Sequence, residues 1–92
     1  MEESKDTHEI QPVAIAILNY FRDHPGAKDS AKGIAQWWVG AQVEVVEKAL
    51  EMLIIEGVIE KQGMSFQLVQ KKPAAKVEQM IDSVMRSLQR NS

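Results

Sequence analysis

The sequence predicts a mainly α fold with a small β-hairpin, and three observations predict it. Apolar residues recur at helical spacing in four separate segments. The period drops to two only near "MSFQLV". Proline and glycine stand between the periodic segments, at "HPG", "VGA", "EGV", "KQGM" and "KKPA". The chain has 92 residues, 45% of them hydrophobic, which suits one small domain with a modest core and not a disordered segment.

Residues 1–9 read as a polar, frayed lead-in. Pro12 suits the first turn of a helix, where its missing N–H costs little. "VAIAILNYFRD" is then the first helix, with Val13, Ile17, Tyr20 and Phe21 on one face. Ile15, Ala16 and Leu18 make its other sides apolar, so it is expected to be covered on more than one side. Pro25 and Gly26 end it. Asp29 or Ser30 caps a second helix, "AKGIAQWWV", in which Ile34 and Trp38 share a face. Gly40 breaks that helix. A third runs from about Gln42 to Glu56, with Val46, Ala49, Leu50, Leu53 and Ile54 as its apolar stripe and Gly57 as its end.

Two short strands follow around Gln62-Gly63, with Met64, Phe66 and Leu68 on one buried face. "QKKP" is a basic joint, and Pro73 opens a last helix. There Val77, Ile81, Val84 and Leu88 form a narrow seam at coiled-coil spacing. The last helix could fold back on its own domain or pair with its copy; the narrow seam, beside a first helix apolar all round, favours a homodimer through these four residues. The expected organisation is a lead-in at 1–9, a domain at 10–70 and a C-terminal dimerisation helix at 71–92.

Several function classes are excluded or disfavoured. The chain has no cysteine, so it carries no disulfide and no thiolate metal site. No phosphate-binding glycine loop, nucleophile triad or metal-ligand spacing stands out, so no enzyme, cofactor or metal is expected. His8 and His24 read as surface residues. The opening "MEESKDTHEI" is acidic where a secretory leader would be basic, and "VAIAIL" is too short for a bilayer. A cytoplasmic protein with no membrane partner is expected. The net charge of −2 is unevenly divided: residues 1–60 hold five cations against eleven acids, whereas residues 61–92 hold six against two.

The order of helix, helix, turn, helix and glycine-tipped hairpin resembles a winged helix-turn-helix domain. Ile34-Ala35 stands where such domains begin their second helix. Val46, Leu50, Leu53, Gly57 and Ile59 match their run from the third helix into the first hairpin strand. Gly63 matches the wing tip, with Phe66 and Leu68 on the return strand. The likeness covers roughly residues 10–70, and the segment from Ile34 to Val46 is slightly longer than is common. It implies a three-helix core plus a C-terminal helix and, as function, a DNA-binding transcriptional regulator.

In members that bind DNA the third helix enters the major groove. The matching positions here include Gln42, Val45 and Lys48. Gln42 could read adenine, and Lys48 could meet a phosphate or guanine. Lys28, Lys32, Lys61, Lys71 and Lys72 could meet phosphates, although scattered lysines more often serve only solubility. Glu44, Glu47 and Glu51 run the other way, because carboxylates facing a polyanion are an electrostatic cost. The alternative is therefore a winged-helix module whose acidic third helix binds a protein partner. Trp38 is expected in the core. Trp37 is expected in packing or an interface before any ligand pocket.

Overall fold

The computed structural model describes the backbone of residues 2–90 and the side chains of residues 10–89. Its elements follow the hydrophobic pattern, with additions. The first helix, α1 (Glu2–Asp23), carries Ala14, Ile17, Leu18 and Phe21, all fully buried. Burying each of the three larger side chains stabilises the fold by about 1.5–3 kcal/mol. The backbone helix begins before Pro12 and continues through it, so residues 2–9 extend α1. Glu, Lys and Gln around the proline are good helix formers, which favours continuation despite the lost hydrogen bond.

A three-residue strand, β1 (Lys28–Ser30), comes next. The second helix, α2 (Ala31–Gly33), continues directly into a π-helix over Ile34–Val39. Ser30 is the cap: its hydroxyl accepts from the Gly33 N–H at 3.1 Å. Gly40 adopts φ 63°, a left-handed conformation that stops the π-helix, and both its N–H and that of Ala41 turn back to the Ala35 carbonyl.

The third helix, α3 (Val43–Ile55), buries Val46, Ala49, Leu50 and Leu53. Gly57, at φ 86°, ends it. The Gly57 N–H bonds to the Ile54 carbonyl at 2.9 Å, and the Val58 N–H to the Leu53 carbonyl at 3.3 Å. This is a Schellman ending, and Leu53 and Val58 supply its apolar contact from fully buried positions.

β2 (Ile59–Gln62) and β3 (Ser65–Leu68) form the hairpin. The register pairs Gln62 with Ser65, which leaves Gly63 and Met64 as the turn. Met64 is therefore exposed at the tip and not buried with Phe66 and Leu68. Its alternation with them in sequence ends one residue short, because the strand begins at Ser65. β1 joins the far edge of β3, giving a three-stranded antiparallel sheet in the order β1-β3-β2.

The last helix, α4 (Ala74–Arg90), packs against α1. Val77, Ile81, Val84, Met85 and Leu88 are each under 10% exposed within this one chain. The described residues are thus mainly helical, with four helical segments (α2 and the π-helix forming one) and a small sheet. Among the described residues no helix is long and apolar enough to cross a membrane.

Candidate nucleic-acid interface

The free face of α3 is built by subtraction. With Val46, Ala49, Leu50 and Leu53 turned into the core, Glu44, Glu47, Lys48, Glu51 and Ile55 are left exposed. At about 100° per residue these five fall within one arc of roughly 100°. The stripe holds three carboxylates and one cation, and it ends at Ile55, which is 83% exposed. Gln42, the residue before α3, is exposed and extended at ψ 143°. Val45, expected among the DNA-reading residues, is only 8% exposed. It lies one position from Val46 on a flank of α3 that faces Pro12, Val13 and the Gly40–Gln42 turn across a cleft of about 340 Å³.

The lysines divide into two groups. β1 brings the start of α2 to the hairpin, because Ser30 pairs with Ser65 and Lys28 with Gln67. Lys28, Lys32 and Lys61 are all exposed on this sheet or at the helix start beside it. The Lys61 ammonium lies 5.6 Å from the ring centre of Phe66, its cross-strand partner. On the outer sheet face, Gln67 donates to the Glu60 carboxylate at 2.7 Å. Lys71 and Lys72 follow β3 and so stand at the base of the hairpin, the end away from the Gly63 tip. There the Val69 N–H bonds to the Val58 carbonyl at 3.1 Å. The sequence groups Lys61, Lys71 and Lys72 together; the sheet separates them.

Asp29 is a feature the sequence undersold. Its Oδ1 accepts from the Ser30 N–H at 2.7 Å, and its carboxylate fills the space where a side chain on Gly33 would go. A side chain at Gly33 would displace the Asp29 carboxylate, whereas its own dihedral angles are helical and suit any residue. Asp and Gly four residues apart at a helix start are the only trace of this in the sequence.

The α4 seam does not lie open for a second copy. Val77, Ile81, Val84 and Leu88, the residues expected at a dimer interface, are each under 10% exposed within the single chain. The reason is α1: apolar on two sides, it takes α3 on one and α4 on the other. An ion pair between Arg22 and Asp82 links the two helices, and the Arg22 guanidinium also meets the Met85 sulfur at 3.5 Å.

The adjacent tryptophans part company. Trp38 stacks on Tyr20 with ring centres 4.1 Å apart and meets Phe21 edge-on at 5.0 Å. It packs against the core from a half-buried position. Trp37 is 75% exposed and does not pack within the chain as a core residue would. His24 is exposed and its ring lies 4.5 Å from that of Tyr20. His8 lies outside the described side chains. Among the described residues no group of histidine, aspartate and glutamate gathers to hold a metal ion.

Comparison with known proteins finds no family model that matches the chain, no curated protein and no solved structure.

Proposed function

We propose that the chain is a winged helix-turn-helix module that binds double-stranded DNA in the cytoplasm and acts by binding alone, as a transcriptional regulator. The observation that carries this reading is the pairing of β1 with β3, which sets Lys28 and the start of α2, with Lys32, along one edge of the sheet whose other edge strand carries Lys61. Lys28 shares its sheet face with Gln67 and Lys61 the other face with Phe66, so these exposed ammonium groups suit separate phosphate contacts along a duplex. Gln42, exposed at the head of α3, is the side chain placed to meet a base edge. The α3 carboxylates oppose this contact, so the affinity is weak and strongly dependent on salt.

A second reading rests on the α3 stripe itself. Three carboxylates leading to an exposed Ile55 suit a basic protein segment with an apolar anchor. Titration of a random-sequence duplex at several salt concentrations separates the two. If DNA is bound, replacing Lys28, Lys32 and Lys61 by alanine reduces the slope of log K against log salt by roughly 3, near 0.9 per lost phosphate contact. Changing Glu44, Glu47 and Glu51 to glutamine tightens binding by removing repulsion. No binding at low salt by the parent chain or the glutamine variant overturns the DNA reading and leaves the protein partner.

A further inference from the structure

We propose that the groove between the end of α1, the base of the hairpin and the start of α4 binds a small organic anion with an apolar body, of the medium-chain or aryl carboxylate class. The groove encloses about 300 Å³, at the lower end of the range for small-molecule sites. Phe21, Leu68, Val77 and Ile81 line it, and all four are under 10% exposed, so its floor is fixed by the core and does not depend on a mobile loop. An apolar guest would cover surface that no other part of the chain covers.

The charge comes from the rim. Arg22, Lys72 and Glu78 are its ionised side chains, and Asp82 offsets Arg22 from outside the lining. Arg22 is held in place by Asp82 on α4. Lys72 has no ion pair among the described residues and is exposed at the mouth, so it is the cation available to a guest. Ala74, the first residue of α4, also lines the groove, and the helix has no acid in its first turn. The free N–H groups of a helix start add a favourable potential for negative charge at this end. Apolar floor, the Lys72 ammonium and the start of α4 together suit an amphiphilic anion over a neutral hydrocarbon or a bare inorganic ion. The site is at the end of the hairpin away from the tip, so it stands or falls independently of DNA binding.

The test is a titration of the intact ¹⁵N-labelled chain with octanoate and, in parallel, with 1-octanol, followed by amide chemical shifts. Saturable shifts are expected at Val69, Gln70, Ala74 and Val77, with octanol weaker by roughly fivefold, the ratio expected for one partly exposed ion pair. Lys72→Glu is expected to weaken octanoate by at least that factor while leaving octanol unchanged. Ala74→Trp, an exposed position at the mouth, is expected to block both ligands. Should that variant fold poorly, Lys72→Glu carries the test alone. No saturable shift, equal binding of acid and alcohol, indifference to Lys72→Glu, or shifts centred on Trp37 or Ile55 would each overturn the proposal.

Discussion

Asp29 and Gly33 make a two-residue device whose parts have no meaning apart. The carboxylate bonds to the Ser30 N–H, and the missing side chain of Gly33 gives it room. Alanine is a better helix former than glycine by about 1 kcal/mol, so the helix itself gains from Gly33→Ala. The displaced carboxylate removes that gain. In the Asp29→Ala background, Gly33→Ala is therefore expected to stabilise by about 0.5–1 kcal/mol, and in the parent chain it is expected not to. Urea denaturation of the four chains in this cycle measures the coupling; equal effects in both backgrounds would show that the two residues act separately. At Gly57 the constraint is the backbone, because φ is 86°. Gly57→Ala is expected to cost about 1–2 kcal/mol, read as a lowered thermal midpoint.

The element with the largest structural consequence is α4. Its apolar residues complete the cover of α1, so Ile81→Ala is expected to cost about 2–5 kcal/mol. The loss belongs to one chain, so the midpoint of the Ile81→Ala variant should not move with protein concentration; a concentration-dependent midpoint would restore the seam to a dimer interface. The existence of four helical segments and a hairpin was legible from periodicity, as were the ends at Gly40 and Gly57. β1 was not, because three residues reading Lys-Asp-Ser have no strand signature and owe their conformation to β3. The direction in which α4 turns its seam was not legible either. The same step of four, three and four serves a partner helix or the chain's own α1, and only the second apolar face of α1 separates these. For the candidate site, exposure of Gln42 and of the lysines followed from the pattern. Their division between tip and base did not, since it depends on the register of β3.

For the whole molecule, folding brings a basic C-terminal segment onto an acidic remainder, and the ion pair between them runs against that trend, Arg22 of the acidic part meeting Asp82 of the basic part. With α4 closed over, sedimentation velocity is expected to give a monomer at tens of micromolar. A dimer that disappears on Trp37→Ala would instead assign pairing to the exposed indole. The π-helix over Ile34–Val39 has a consequence for chain length. A π-turn closes its hydrogen bonds one residue later than an α-turn, which makes it the footprint of a one-residue insertion held inside a helix. The wider turn is complete at Val39, before α3 begins at Val43. It also sets the rotational phase of everything after Ile34. Deleting Gln36 would return the segment to α-helical phase and turn the downstream side chains about the axis. The neighbouring indoles would then be dealt to different environments, so the one that reaches Tyr20 is selected by an odd residue upstream and not by the indoles themselves.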